Sequence, residues 1–455
     1  MLEGKLALLE AALVQLEAGF KDLPEFTAEQ DFDAVGAVLE EVALRLQDNY
    51  PYAHPLYAGQ MIKPPHPVAR LAYSLALAIN PNNHALDGGR ASSQMEKEAV
   101  AALAGMFGWQ THLGHLCSGG TMANLEALWV AGSLHPGKTI LASEQAHYTH
   151  ARLCGVLGLP FETIASDSQL RMDIEVLEQR LQRGDVGTVV ATVGTTIAGS
   201  VDPVDQILEL QTRYGFRLHA DAAYGGYFTL IDGLEPSTRA AYDGLSRVDS
   251  IAIDPHKHGL QPYGCGCILF ADPAVGRLYA HESPYTYFTS PALHLGEISL
   301  ECSRPGAAAV ALWATQRLLP LTRGGAFAAQ LGKSRQAALG LYEKLQQDGR
   351  FVPLLAPELD IVLWVYHSEW ASRTSYLSKE IFRAAATEQL HLALARVPTK
   401  RLQPLLPHLE ADDDHVLCLR SCLMKPEHLD WLERIWQALD RATIQVFTLS
   451  GRLDR

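Results

Sequence analysis

The feature that most limits what this chain can become is an alternation of two periodicities that starts near residue 94. Helical spacing over 94–107 gives way to an extended apolar run at 113–117, then to helical spacing at 121–132 and a second extended run at 139–142. The exchange continues with extended 186–193, helical 204–214, extended 216–220 and extended 250–254. Short β-branched apolar runs read as strands buried on both faces, and the helical stretches between them supply the crossovers that parallel strands require. The expected fold class is therefore α/β, with a mostly parallel sheet wrapped by helices. After about residue 305 the rhythm changes to a long helical stretch at 307–319 and then a mixed α and β segment. Three units are expected: an N-terminal helical arm at 1–60, a large domain at 61–310 and a smaller α/β domain at 311–455. The stretch YPYAHPLYAGQMIKPPHP at 50–67 is too rich in proline for a loose linker and reads as an ordered arm.

With 455 residues and 48% hydrophobic content the chain has volume for two or more cores, and disorder is not expected. Lys and Arg number 37 against 51 Asp and Glu, a net charge of −14 that repels nucleic acid and acidic membranes. No nucleic-acid or membrane partner is expected, and no stretch approaches the roughly 18–20 apolar residues of a membrane span. The opening residues space Leu6, Leu9, Leu13 and Leu16 at helical intervals, with Glu3, Glu10 and Glu17 breaking any apolar run. That pattern predicts an amphipathic helix that packs on something, such as a partner subunit, in place of a signal peptide. Seven cysteines without CxxC spacing fit a reducing, cytoplasmic setting, and Cys265 and Cys267 read as small buried thiols.

The chemistry collects where strands end, as it does in sheets of this kind. In IAIDPHKHG the apolar run delivers His256 and Lys257 at a strand end. A lysine in a partly apolar pocket is expected to have a lowered pKa and to attack an aldehyde as the neutral amine, although a plain surface lysine after a turn also fits the segment. In FRLHADAAYGGYF a second strand ends before Asp221, which is either a turn cap or the partner of a buried cation. Were pyridoxal 5′-phosphate (PLP) to lie between the two, Asp221 would hold the protonated pyridine nitrogen and keep the ring an electron sink. In HLCSGGTMANLEALWVA a strand, the turn Ser118–Gly119–Gly120–Thr121 and a helix start make a place for a phosphate, without the pattern of a nucleotide or dinucleotide loop. In LASEQAHYTHARL, His147 follows another strand and can stack on a flat ring. His147 and His150 lack the further ligands of a metal site, so no metal is expected and solvated histidines are the plainer reading. Thr195 and Thr196 in TVGTTIAGS could reach a ring hydroxyl, or simply reflect the strand preference of threonine.

Together these segments resemble the group II PLP-dependent decarboxylases, the family of aromatic amino-acid, histidine, tyrosine and glutamate decarboxylases. The resemblance runs from about residue 50 to about 440. It is most specific in HADAAYGG followed by DPHK, with SGGT, EQAH and GTT upstream in the family's order. It implies PLP as cofactor and the aspartate-aminotransferase type of fold, called fold type I, with 61–310 as the cofactor-binding domain. It also implies a homodimer with its sites at the subunit interface. Carried onto this sequence, it implies Lys257 as the Schiff-base lysine, Asp221 under the pyridine nitrogen and His147 stacked on one ring face, with Ala223 on the other. Gly120 and Thr121 match the phosphate turn, His256 the neighbour of phosphate and lysine, and Thr196 a residue near the ring hydroxyl. A tyrosine on a loop commonly returns the proton to Cα; HESPYTYFTS offers Tyr285, which follows Pro284 and is preferred, and Tyr287.

The expected activity is decarboxylation of an L-amino acid to its amine and CO2, with an aromatic substrate. NPNNHALDGGRASSQMEKE, which resembles the family's substrate-side loop, adds His84 and Arg90 as substrate contacts, and LECSRPGAA adds Arg304. Arg90 and Arg304 would suit an acidic side chain such as that of aspartate or glutamate, or else face solvent and form an interdomain ion pair. Other readings are a sphingosine-phosphate-lyase-like carbon–carbon lyase, a decarboxylation-dependent aldehyde synthase, a catalytically silent paralogue and a nucleotide-binding α/β protein. Tyr285 argues against the synthase, the joint presence of Lys257, Asp221 and His147 against the silent paralogue, and the missing phosphate-loop lysine against the nucleotide binder.

Overall fold

Each extended run between residues 113 and 254 forms a strand. A computed structural model of the chain describes residues 5–24, 31–280 and 292–453. The first sheet comprises β1 Leu113–Cys117, β2 Thr139–Ser143, β3 Phe161–Ile164, β4 Val186–Thr192, β5 Arg217–Asp221, β6 Ser250–Ile253 and β7 Gly266–Phe270. Its spatial order is β1-β7-β6-β5-β4-β2-β3. β7 runs antiparallel to both its neighbours, and the remaining pairs are parallel. β2 and β6 are buried along their whole length and β4 along nearly all of it, which is why they read as unbroken apolar runs.

Local signals set the connections. The helix Ile174–Leu181 begins at Asp173, whose carboxylate accepts from the amides of Glu175 and Val176. The helix Val204–Tyr214 stops at Gly215, which takes the left-handed conformation at φ +71° and turns the chain into β5. Register then aligns the strand ends: Thr192 pairs with Asp221, and Asp221 with Ala252 two residues before Asp254. Six strands, all but β7, therefore release their following loops along one edge, the carboxyl edge where α/β sheets bind ligands.

A second sheet of four antiparallel strands has the order β10-β11-β9-β8, from β8 Phe351–Pro353, β9 Ile361–Tyr366, β10 Ala393–Pro398 and β11 His415–Cys422. The core around the first sheet takes in Leu359, Ile361, Cys422 and Met424 from this second sheet and its loops. The N-terminal helices behave differently. In Lys5–Glu17, Leu9, Leu13 and Leu16 are half-buried, but Leu6, Leu8 and Val14 are exposed, and Phe32–Leu46 has no buried residue. The expected apolar stripe is thus only partly covered by the chain itself. Among the described residues no helix is long and apolar enough to cross a membrane.

Leu128 is fully buried between the helix Gly120–Leu134 and strands β2 and β4, packed with Ile140, Ala142 and Val190, whereas Val156 is exposed. Leu128→Ala is expected to lower unfolding free energy by about 2–5 kcal/mol. Val156→Ala should stay within about 0.5 kcal/mol of the parent. Chemical denaturation of both variants checks the contrast.

Candidate active site

At the carboxyl edge of the first sheet a cavity of about 340 Å³ is lined by residues from the ends of β1, β2, β4, β5 and β6. Lys257, Asp221, His147, Gly120, Thr121, Thr196, Ala223 and His256 all line it. The sheet therefore brings together segments that are spread over more than a hundred residues of sequence. His84, Arg90 and Arg304 do not line it.

Asp221 is buried at the end of β5 and remains an anion. Burial pushes its pKa up, but the hydrogen bond from His150 and the charges of His150 and Lys257 outweigh burial and leave it below the usual carboxylate range. His150 Nε2 lies 2.8 Å from Asp221 Oδ2, and the amide of Ala223 donates to Oδ1 at 3.2 Å. The plainer reading of His150 as solvated is thus corrected: it is completely buried, because the helix Thr149–Leu157 turns that face onto the sheet. His219, also buried, bonds Ser250 Oγ and Asn124 Oδ1, and burial lowers its pKa to about 3, so it stays neutral beside Asp221.

Lys257 Nζ sits 3.0 Å from Asp254 Oδ2. The sequence led us to expect a lowered pKa; the structure corrects this. Burial does push the lysine down, but the charge and hydrogen bond of Asp254, with a further contribution from Asp221, reverse the sign and raise it. Sequence reading missed Asp254 as a site residue, although its place three residues before Lys257 was visible. Its other oxygen, Oδ1, is buried without a hydrogen-bond partner.

His256 is held by its Nδ1 against Cys265 O at 2.9 Å, and its ring lies 4.6 Å from that of Tyr263. His147 Nδ1 bonds Thr149 Oγ1 at 2.8 Å, and Tyr148 covers the ring at 4.5 Å. Of the two threonines, Thr195 is buried and accepts from the amide of Ser200, closing its own loop, while Thr196 is exposed at the cavity. Cys265 and Cys267 are buried, and burial raises both thiols.

The three proposed substrate contacts lie elsewhere. Arg304 is buried and its Nη1 lies 2.6 Å from Glu96 Oε1, an ion pair of the kind the sequence offered as the alternative to a grip on a substrate carboxylate. Arg90 is exposed at the first turn of the helix Arg90–Met106. His84 packs against Gly296, whose amide donates to His84 O. Tyr285 and Tyr287 lie outside the described residues.

A model of the pyridoxal-dependent decarboxylase conserved domain matches residues 129–367. The chain belongs to the pyridoxal-dependent decarboxylase family. It is 29% identical over 461 residues to the L-tyrosine decarboxylase of Enterococcus faecium, covering 77% of this chain and 75% of that protein. Identity is 30% over 308 residues with the probable L-tyrosine/L-aspartate decarboxylase of Methanothermobacter thermautotrophicus, covering 67% and 81%. The tryptophan decarboxylase of Catharanthus roseus shares the fold, with a TM-score of 0.75 at 17% identity over 93% of this chain and 91% of that one. The fold is the type I fold of PLP enzymes, the cofactor is PLP and the reaction class is loss of CO2 from an amino acid.

The cavity fits that cofactor. A Cβ on Gly120 would stand 2.8 Å from Asp254 Oδ2 and 3.2 Å from the Ala223 Cβ, so only a bare backbone leaves room at this helix start. Gly120 and Thr121, whose amides open the helix without an acceptor inside it, line the cavity, as a phosphate site at a helix start requires. Thr192 Oγ1 and Asp254 Oδ1, both buried without hydrogen-bond partners, line the same cavity.

The Asp254–Lys257 pair yields a direct expectation. Asp254→Asn removes the main group that raises the lysine pKa, so burial then dominates and the neutral amine forms at lower pH. Capture of added PLP by the apoprotein, followed by growth of the cofactor absorption band, should shift its pH midpoint downward. An unchanged or higher midpoint would contradict the assignment of Asp254.

Proposed function

We propose that the protein decarboxylates an aromatic L-amino acid, with Lys257 holding PLP and Asp221 under its pyridine nitrogen. The observation that carries this reading is the meeting of Lys257, Asp221, His147 and the Gly120–Thr121 turn in one cavity. PLP, when bound, supplies an electron sink for the pair left on Cα as CO2 departs. The protein's own groups do the rest. His147 and Ala223 flank the ring, the Gly120–Thr121 turn holds the phosphate, and Thr196 and His256 border it.

Asp221 keeps its charge through His150 and would thereby hold a proton on the pyridine nitrogen of bound PLP. Asp254 receives the Lys257 ammonium whenever the lysine is free. Tyr285 returns a proton to Cα. An aromatic substrate is supported by the L-tyrosine decarboxylase relative and by the exposed rings of Tyr148 and Tyr263, which pack on His147 and His256, two residues that line the cavity. The methanogen relative's name includes aspartate, but among the described residues no arginine lines this cavity to meet a second carboxylate.

The incompletely covered leucines of the N-terminal helices support a homodimer with its sites at the interface, and the free cysteines support a cytoplasmic setting. The two sheets fit a division into an arm at 1–60, a cofactor-binding domain at 61–310 and a small domain at 311–455.

CO2 release and amine formation from each common L-amino acid test the reading. Tyrosine, tryptophan or phenylalanine should give the highest kcat/KM, and Lys257→Ala should abolish both the cofactor band and turnover. A preference for aspartate or glutamate would overturn the aromatic assignment, and a cofactor band without CO2 from any amino acid would overturn decarboxylation. Tyr285→Phe should keep the band and slow amine formation by roughly 10²-fold or more.

His150 acts through Asp221. His150→Leu is therefore expected to lower kcat by about 10–100-fold, the usual cost of losing a supporting contact. It should also move the pH dependence of the cofactor spectrum, which a merely structural role would leave in place.

A further inference from the structure

A second cavity, of about 140 Å³, begins one residue past Lys257, at His258. Lys63, His66, Phe327, Lys425 and Glu427 also line it. None of these residues borders the cofactor cavity.

Lys425 is 3% exposed, and its ammonium donates to Tyr57 O at 2.6 Å, with the Tyr57 ring centroid 5.3 Å away. Lys63 Nζ donates to Met424 O at 3.3 Å. Neither ammonium has a carboxylate within ion-pairing distance among the described residues. Each has three N–H donors and one hydrogen-bonded acceptor, so the pair brings unused donors to the cavity. Glu427 is exposed and acts only from a distance. Asp360, the buried carboxylate nearby, already accepts from Tyr224 Oη at 2.6 Å. Both ring nitrogens of His258 are buried without a hydrogen bond, although Nε2 stands 3.3 Å from Asp360 Oδ2.

Lys425 is buried and Lys63 half-buried, and the carboxylates of Asp360 and Glu427 act on Lys63 only from beyond ion-pairing distance. Cations so placed are costly, and proteins meet that cost by neutralising the group or by binding an anion. Burial, with the charge of Lys63, drives Lys425 down to about 7. Burial also lowers Lys63, against the pull of Asp360 and Glu427. The volume equals roughly four to five water molecules at about 30 Å³ each, enough for a carboxylate, bicarbonate or phosphate ion.

We propose that this cavity is a binding site for a small oxyanion, gripped by the Lys63 and Lys425 ammonium groups. The ion would tie together the proline-rich arm, the loop after Lys257, the helix Ala326–Asp348 and the turn after β11, all of which meet at the cavity. The site is separate from the decarboxylase chemistry, and its failure leaves that reading untouched.

The test uses the PLP-loaded protein, so that the phosphate turn at Gly120 is already filled. Inorganic phosphate, acetate and bicarbonate are titrated separately against chloride at matched ionic strength, with Tm and calorimetric proton exchange as readouts. At least one oxyanion should raise Tm beyond chloride. Above the Lys425 value of about 7, binding should take up protons, because the anion restores charge to the lysine. Both effects should vanish in Lys63→Met and Lys425→Met. No increment over chloride, or the same increment in both variants, would overturn the site. Should the variants not fold, oxyanion binding to the parent without proton uptake would overturn it equally.

Discussion

Asp221 must remain an anion inside the protein, and most of what surrounds the cavity serves that end. Burial alone would protonate it, because a charge taken out of water loses far more than an ordinary contact returns. His150 and the Ala223 amide, both hidden under the cavity floor, supply hydrogen bonds to its two oxygens. His219 sits beside it as a neutral ring fixed between Ser250 and Asn124. The strands beneath therefore carry a polar layer within an otherwise apolar sheet. Each polar atom in that layer needs a partner from a neighbouring strand or helix, so the layer holds only if the register of β4, β5 and β6 is kept.

Topology gives the same arrangement its reach. Because β1 lies at one edge of the sheet and β2 near the other, the phosphate turn after β1 and His147 after β2 approach the Asp221 end of β5 from opposite sides. β7 returns antiparallel beside β1, which lets the loop after β6 carry Asp254, His256 and Lys257 across the cavity and back within a dozen residues. The short helix starts and close glycines at these junctions reflect the lack of space where several loops converge.

Much of this was legible in the sequence because buried parallel strands leave unbroken apolar runs, and the functional residues follow those runs directly. The parts that were not legible depend on contacts distant in sequence. β3 escaped notice as a short, half-exposed strand, and β7 has no local mark of its antiparallel direction. His150 looks like its neighbour His147 until the helix is placed on the sheet. Arg304 resembles a substrate arginine until Glu96, 208 residues earlier, is found beside it. For Lys257 the apolar setting was read correctly and the sign of the shift was not, since Asp254 outweighs burial.

That reversal bears on how the site works. A lysine pulled to low pKa by burial alone would be reactive at all times but would have no place for its proton once displaced by substrate. Asp254 supplies that place: 3.0 Å from Nζ, it stabilises the ammonium form when the lysine is free. Asp254 Oδ2 also stands 3.6 Å from His256 Nε2. With Oδ1 unpartnered, the closest partner of the Asp254 carboxylate among the described residues is the Lys257 ammonium. The two carboxylates thus differ in what they do with a proton. Asp221 is locked by hydrogen bonds to both oxygens, whereas Asp254 has one oxygen unpartnered; in the proposed reaction the first would hold a proton in place and the second would receive a moving one.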